Sequence, residues 1–417
     1  MTSGLKSQIR SFFFTGVPGS GYPSGDYKCR DNHGFLWIVR QKKDVVISGG
    51  KNAFQVDISE LLLENGQVQD AGVMGNRFQG TIIRREKMEI HPRVSAIDVS
   101  GLGGIWTYLV RGQQTAIIDT GPKMPLPFVT NQTISPDKDS APILRLLPPV
   151  LEKYDMTLAD IDLILNTHIH FDHTAGNAAI NTASKAQILI HSDEARYFEK
   201  PELLFERELA PIIEIILGKE YVAEEMNRYM NEFTGPGPYA AVDRRLKDND
   251  IIELGEGFDL KVIHLPGHTQ GSVGFYWEDE GILFAGDAMQ GVCGHGGSLP
   301  IIEDLVAYEK SLKRVQQLPL KVLVHSHPFR GLTIPPSAVM RDGKIKQYLE
   351  ECREFTQMLQ EAAKSVAPHF SKKPFLELYD EAVLSLPKEV GYKPSSEMPG
   401  QLFSAKTLLN CIRQLEK

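Results

Sequence analysis

The pattern of apolar and polar positions divides the chain into three regions, at residues 1–88, 89–333 and 334–417. In the first region, apolar runs at 35–39 and 44–48 predict two short strands around a charged turn. The apolar spacing over 56–65 then predicts a helix. We therefore expect a small α+β domain at the N-terminal end.

The second region alternates short apolar runs with segments of helical periodicity. A hairpin is predicted at 106–110 and 115–119, helices at 143–154 and 302–318, and a long charged helical insert over about 193–238. Strands that alternate with helices, together with runs of consecutive strands, predict an α/β fold with two sheets and helices outside them. The further strands are predicted at 161–165, 187–190, 251–254, 260–265, 272–277, 282–284 and 321–324.

The third region is predicted to be wholly helical. Segments 345–364, 374–386 and 404–415 each repeat apolar residues with the period of a helix. We therefore expect a helical C-terminal domain over 334–417.

Composition and charge narrow the class of protein. The chain has 417 residues, 42% hydrophobic and 24% charged, with a net charge of −8, which disfavours generic binding to nucleic acid. The four cysteines form no CxxC pair, so a reducing compartment is expected. No apolar run approaches the roughly 18 residues of a membrane span, and the start lacks a signal-peptide core. We expect a cytoplasmic protein without a membrane partner.

A dense group of metal-binding residue types follows the strand predicted at 161–165. His168, His170, Asp172 and His173 stand within the sequence Thr-His-Ile-His-Phe-Asp-His. Zinc binds imidazole nitrogen and carboxylate oxygen, and alternate side chains of an extended segment share a face. His168 and His170 can thus reach one ion, and Asp172 and His173 a second one beside it.

Three later motifs each follow an apolar strand. His268 stands in Leu-Pro-Gly-His-Thr-Gln-Gly-Ser, Asp287 ends Phe-Ala-Gly-Asp, and His327 ends Val-His-Ser-His. With the first cluster, this set resembles the metallo-β-lactamase superfamily over about residues 95–333. The resemblance implies an αββα sandwich, to which the N-terminal domain and the helical C-terminal extension are added.

The resemblance also implies a ligand set. His168, His170 and His268 would bind a first metal, Asp172, His173 and His327 a second, and Asp287 would bridge them. Two zinc ions are expected, with manganese or iron as alternatives. His325 stands two residues before His327, and the alignment of motifs favours His327 as the ligand.

A hydrolytic mechanism follows from such a centre. A metal-bound hydroxide would attack a carbonyl carbon while one metal stabilises the oxyanion. Asp172 is the predicted catalytic residue, which orients the water or moves its proton. Gln290, Cys293 and His295, on or beside the glycine-rich loop after Asp287, are predicted to contact substrate.

The first region carries a second resemblance. Tyr22-Pro-Ser-Gly-Asp26, Asp31-Asn-His-Gly-Phe-Leu-Trp37 and Lys42-Lys-Asp-Val-Val-Ile-Ser-Gly-Gly-Lys-Asn52 resemble the hinge and early C-terminal lobe of acyl-CoA synthetases. This implies a fragment of that lobe over 1–88, with Lys43-Asp44 as the hinge. Gln41 replaces the usual arginine and the ATP-binding lobe does not appear, so we expect a docking or dimer surface. The alternative is that this fragment binds the CoA or carrier-protein arm of a substrate.

These observations favour a dinuclear-metal-dependent hydrolase of an acyl thioester, carried by CoA or by a carrier protein. The alternatives are a metal-dependent endoribonuclease, a lactonase or glyoxalase II-like esterase, and a non-catalytic binding protein. Acyl-homoserine lactonases usually have a tyrosine three residues after the bridging aspartate, where this chain has Gln290. The expected partner is a small-molecule acyl thioester, and not nucleic acid. The sequence allows a homo-oligomer as well as a monomer. The apolar residues of the insert are suited either to lining an acyl-chain pocket or to forming a dimer interface.

Overall fold

The computed structural model describes residues 90–100, 104–123, 141–230, 241–255, 257–292, 298–397 and 404–416, together with six short strands nearer the N-terminus. Those strands pair as three antiparallel hairpins. Most of the synthetase-like pattern, including Asp26 and Lys43-Asp44, lies outside the described residues. The strands are β1 (Tyr27–Arg30), β2 (Leu36–Arg40), β3 (Val45–Ser48), β4 (Lys51–Phe54), β5 (Val73–Met74) and β6 (Arg77–Phe78).

Two six-stranded sheets form the centre of the fold. The first sheet has the order β12-β11-β10-β9-β8-β7, with β9 to β12 parallel and β7 to β9 antiparallel. Its strands are β7 (Val94–Asp98), β8 (Trp106–Arg111), β9 (Thr115–Ile118), β10 (Leu163–Leu165), β11 (Gln187–His191) and β12 (Arg244–Leu246).

The second sheet follows the order of the chain and is antiparallel except where β16 and β17 run parallel. That one parallel pair brings the carboxyl ends of both strands to the same edge. The strands are β13 (Ile251–Glu253), β14 (Asp259–His264), β15 (Val273–Trp277), β16 (Ile282–Gly286), β17 (Val322–Phe329) and β18 (Ser337–Arg341).

Helices cover the outer faces of both sheets, which confirms the predicted α/β sandwich with a helical C-terminal region. The helices are α1 (Pro142–Leu146), α2 (Pro148–Leu151), α3 (Phe171–Thr174), α4 (Asn177–Ser184), α5 (Ala195–Glu199), α6 (Pro201–Glu208), α7 (Ala210–Ile216), α8 (Val222–Tyr229), α9 (Leu305–Gln316), α10 (Gly343–Val366), α11 (Phe375–Leu384) and α12 (Ala405–Leu415). Among the described residues, none of the helices has the length and hydropathy needed to cross a bilayer.

The core has three parts that match these layers. One lies between the sheets, where Val110 and Leu165 meet Phe275 and Val324. A second lies between the first sheet and helices α1 to α6. The third lies outside the second sheet and contains Leu323 together with residues of α7 and α9 to α12. The C-terminal helices therefore share a core with the second sheet.

Several details differ from the sequence predictions. The helix predicted at 143–154 is divided at Pro148, because proline lacks the amide N–H that would continue the hydrogen-bond ladder. Residues 334–417 are not wholly helical, since β18 pairs with β17 and buries Ala338 and Met340 on alternate positions. Strands β7 and β12 were not predicted, and the predicted helical insert consists of short helices, α5 to α8.

The apolar side of the insert is covered by this chain itself. Ile212, Ile213 and Ile216 of α7 belong to the same buried cluster as Leu376 of α11 and Leu408 of α12. These residues therefore hold the C-terminal helices against the second sheet, and neither an acyl-chain wall nor a dimer interface is needed to explain them.

Candidate metal centre

The predicted ligands lie at one edge of the two sheets, on loops, in helix α3 and near the end of strand β17. Asn166 to His173 follow β10, the loop with His268 follows β14, and Asp287 follows β16 directly. A hydrogen bond from Val273 N to Thr167 O joins the loops of the two sheets. Rigid strands therefore bring residues that are far apart in the sequence to one place.

The first group of ligands is His168, His170 and His268. His168 Nε2 lies 3.1 Å from His170 Nδ1, and a ring nitrogen of His268 lies within 4.8 Å of both. His268 Nε2 is buried and has no hydrogen-bond partner. A buried polar atom without a partner is costly, so three nitrogens that converge in this way suit a shared cation.

The second group is Asp172, His173 and His327. His327 Nε2 lies 3.3 Å from His173 Nε2 and 3.3 Å from Asp172 Oδ2. Asp172 is 20% exposed and His170 15%, whereas His173 is buried, so the centre is reached from the side of Asp172 and His170.

Asp287 lies between the groups. Its Oδ2 is 3.6 Å from Nε2 of both His173 and His327 and 3.9 Å from Nε2 of His268. Its Oδ1 is buried without a hydrogen-bond partner. Gly286 permits this placement, because its φ is +53° and a Cβ there would lie 2.3 Å from Thr167 Oγ1.

The ring nitrogens that point away from the centre are held by the protein. His170 Nε2 lies 3.0 Å from Glu208 Oε2, and His173 Nδ1 lies 2.9 Å from Asp119 Oδ2. His268 Nδ1 donates to Ile301 O at 2.7 Å, and His327 Nδ1 donates to Gly104 O at 2.6 Å. Such bonds fix each tautomer, so that the inward nitrogen keeps its lone pair for a metal.

Burial and neighbouring charges shift the pKa values of His168 and His268 in one direction and that of His173 in the other. Burial lowers the pKa of His168 well below its usual range and that of His268 to about 3, which keeps both imidazoles neutral. Burial also acts on His173, but the carboxylates of Asp172 and Asp287 outweigh it and raise the pKa of His173 well above its usual value. The carboxylate-rich group therefore attracts positive charge, as a divalent cation site does.

Taken together, the donors fit a metal centre of imidazole nitrogens and carboxylate oxygens. Inward atoms at His268 and Asp287 lack partners, and the outward nitrogens are hydrogen-bonded. All ligands predicted from the sequence fall into these clusters. They are His168, His170, Asp172, His173, His268, Asp287 and His327.

The structure brings His327, and not His325, into the cluster. The His325 ring packs edge-on against Tyr348 and Phe329, and both of its nitrogens lack hydrogen-bond partners. Burial lowers the pKa of His325 to about 3, so the ring is neutral and acts as a packed side chain.

Gln290 supports the centre from within the protein. Its Nε2 donates to Asp287 Oδ2 at 3.2 Å, and its Oε1 accepts from Ile301 N at 2.5 Å. The side chain that the sequence assigned to substrate is thus buried and bound to protein atoms at both ends. Cys293 and His295 lie outside the described residues.

A separate group of His191, Asp193 and His264 lies beside the His268 loop. The two imidazoles stack in parallel, with centroids 4.2 Å apart and planes at 11°. His264 Nε2 donates to Gln270 O at 2.9 Å, and Asp193 N donates to His191 Nδ1 at 3.3 Å. The stacked rings therefore support the loop that carries His268.

Several supporting residues were not identified from the sequence. Asp119 begins the Asp-Thr-Gly motif, which directly follows strand β9. This position at the end of a strand is a signal that could have identified Asp119 from the sequence. Glu208 stands in the charged insert, where nothing distinguishes it from its neighbours. Glu194 is buried with Oε1 accepting from Gly271 N at 3.1 Å, close to the His268 loop.

Comparisons with known proteins identify the family and the fold. A family model described as "Metallo-beta-lactamase superfamily" matches residues 100–327. A metallo-beta-lactamase family protein from Thermus thermophilus shares the fold, with a TM-score of 0.52 and 20% identity, covering 78% of this chain and 95% of that one.

Two curated relatives carry names that describe a reaction. A hydroxyacylglutathione hydrolase of Hyphomonas neptunium is 29% identical over 177 residues, which are 42% of this chain and 49% of that protein. An atrochrysone carboxyl ACP thioesterase of Paecilomyces divaricatus is 35% identical over 92 residues, 22% of this chain and 26% of that protein. The chain spans about half the length of the first curated relatives it matches.

Proposed function

The chain belongs to the metallo-beta-lactamase superfamily, and we propose that it is a hydrolase of acyl thioesters with a dinuclear metal centre. The observation that carries the proposal is the convergence of two ligand groups around Asp287, whose Oδ1 is buried without a partner. The names of two relatives, a hydroxyacylglutathione hydrolase and an ACP thioesterase, support the substrate class.

The two groups would hold one metal each, with Asp287 shared between them. His168, His170 and His268 form the first site, and Asp172, His173 and His327 the second. Metals bound there would supply Lewis acidity and make a water molecule acidic near neutral pH. Zinc suits the imidazole-rich donor set best, with manganese or iron as alternatives.

Asp172 is the residue to which we assign proton handling. It is the most exposed carboxylate of the centre, and its Oδ2 lies 3.3 Å from His327 Nε2. Despite burial, His173 and His327 hold the pKa of Asp172 well below its usual range, so it is a carboxylate that can orient water. A thiol has a pKa of about 8.5, so a thiolate leaves with little need for a general acid. One proton-handling group is then sufficient.

The test is a turnover panel on the full chain loaded with zinc, with a chelated sample beside it. The panel contains acyl-CoAs of several chain lengths, S-lactoylglutathione, lactones and single-stranded RNA. We expect thioester cleavage that the chelator abolishes. We also expect Asp172→Asn to lower kcat roughly 10²–10⁴-fold, while Asp259→Asn, which changes an exposed aspartate at the far end of β14, leaves kcat unchanged. RNA cleavage without thioester cleavage would overturn the proposal in favour of a nuclease.

A further inference from the structure

Two consecutive residues of the last helix, Lys406 and Thr407, are buried beside the metal centre. They stand in the first turn of α12 and lie more than 230 positions from the first histidine motif in the sequence. Lys406 Nζ lies 2.8 Å from Glu303 Oε1 and 3.6 Å from Glu208 Oε2. A buried ammonium is costly unless it is paired, so its partners define its role.

Glu208 connects Lys406 to a metal ligand. Its Oε2 lies 3.0 Å from Nε2 of His170, and its Oε1 accepts from Nη2 of Arg207 at 2.5 Å. Lys406 and Arg207 balance the charges of Glu208 and Glu303, which lie together in one buried cluster. Removal of Lys406 leaves two neighbouring carboxylates with one cation fewer, and Glu208 is the one that orients His170.

Thr407 acts on another member of the same ligand group, His268. Its Oγ1 accepts from Ile302 N at 2.9 Å and donates to Pro300 O at 2.7 Å, so it holds the backbone on both sides of Ile301. Ile301 O accepts from His268 Nδ1, and Ile301 N donates to Gln290, which donates to Asp287. One threonine therefore holds the segment that orients both His268 and Asp287.

The other group has different supports. His173 Nδ1 bonds to Asp119, and His327 Nδ1 bonds to the carbonyl of Gly104. Both supports lie at or beside strands β8 and β9 of the first sheet. The group of His173 and His327 is thus oriented from the first sheet, whereas α12 acts on His170 and His268.

We propose that Lys406 and Thr407 are positioning residues for the metal held by His168, His170 and His268, so that helix α12 affects the affinity of this site more strongly than that of its neighbour. The inference rests on the proposed dinuclear centre. It assigns to the helical C-terminal segment a role in the chemistry of the site, in addition to its place in the core.

Metal titration of the full, metal-free chain tests this directly, with zinc or cobalt added and binding followed by calorimetry and by the cobalt absorption spectrum. We expect Lys406→Met to weaken one of two binding events roughly 10- to 100-fold and to leave the other unchanged. Thr407→Val should weaken the same event by a similar factor and the other event by less, because Thr407 also supports the shared Asp287 through Gln290. Glu208→Gln should weaken the same event as Lys406→Met. Lys406→Arg, which keeps the charge, should retain most of the affinity.

Matched controls are Lys364→Met, which changes an exposed lysine paired with Glu361, and Thr182→Val, which changes an exposed helical threonine. Neither should alter either event. Circular dichroism of the metal-free variants establishes that they are folded, and Glu208→Gln carries the test if Lys406→Met does not fold. Unchanged binding in the Lys406 and Thr407 variants, or equal weakening of both events, would overturn the inference. A wild-type chain that binds a single ion would instead refute the dinuclear centre.

Discussion

Asp119 Oδ2 lies 2.9 Å from His173 Nδ1, and both side chains are buried. The same carboxylate accepts from Thr167 N at 2.8 Å and from Ser326 Oγ at 3.0 Å. Asp119 therefore joins three segments. They are the segment with His168 to His173, the part of β17 that contains His327, and the end of β9. Its φ of +57° is uncommon for a residue other than glycine, so the surrounding bonds hold it in a strained conformation.

Asp119→Asn should lower metal affinity roughly 10- to 100-fold. The new amide NH₂ group would face N–H and O–H groups that donate to the aspartate, so at least one of these hydrogen bonds would be lost. The result is measured by calorimetric titration of the metal-free protein with zinc. Asp162→Asn is the matched control, since its carboxylate also accepts from a backbone amide, Thr115 N at 2.8 Å, but is far along the strand from the centre. Equal affinities in wild type and Asp119→Asn would show that the bond does not orient His173.

The ligands could be predicted from the sequence because their residue types are rare and their spacing is local. His168 to His173 stand within six residues, and His268, Asp287 and His327 each follow a strand that the apolar pattern reveals. Most strands of the two sheets were predicted for the same reason, whereas β7 and β12 were not. An alternating or continuous apolar run indicates a strand even when the residues that pack against it are unknown.

The supports could not be predicted, because their meaning depends on tertiary contacts. Ile301 and Gly104 act through backbone carbonyls, which any residue type supplies. Glu208 and Lys406 resemble other charged residues of helices until packing brings them together. Strand β18 was missed because its five residues, Ser337–Arg341, adjoin a 24-residue helix whose periodicity dominates the pattern.

Asp287→Ala should lose metal and activity together. Asp287 lies within 3.9 Å of three ligand histidines, and without its charge the two groups have no shared anion between them. Metal content after dialysis, measured by elemental analysis beside thioester turnover, gives the answer. A variant that keeps both metals and full turnover would refute the bridging role.

Phe355→Ala tests the shared core of α10 and the second sheet. Phe355 is fully buried in the cluster that also contains Leu265 and Leu323. Truncation of a buried phenylalanine typically costs about 3–5 kcal/mol, so the unfolding midpoint should fall in a single transition. Leu384→Ala, at a position that is 72% exposed, should change stability by less than about 0.5 kcal/mol. A separate early transition confined to helical signal would indicate that the C-terminal helices form a domain of their own.

Glu194 makes stability depend on pH. The residue is fully buried and its Oε1 accepts from Gly271 N. Burial raises its pKa from 4.5 to about 7, although Thr269 and Arg207 act in the opposite direction. Between these values the folded state holds a proton that the unfolded state has lost, so stability falls as pH rises through this interval. At about 1.4 kcal/mol for each pKa unit, the cost above pH 7 is about 3 kcal/mol.

Glu194→Gln should remove that cost and keep the acceptor for Gly271 N–H. Its free energy of unfolding should therefore match that of the wild type near pH 4.5 and exceed it by about 2–3 kcal/mol at pH 8. Denaturant titration of the metal-free proteins at a series of pH values measures the difference, in which the titrations of the histidine ligands cancel to first order. Glu199→Gln serves as the control, because Glu199 is exposed and should show no such trend. A difference between Glu194→Gln and wild type that is constant from pH 4.5 to 8 would show that Glu194 does not titrate in this range.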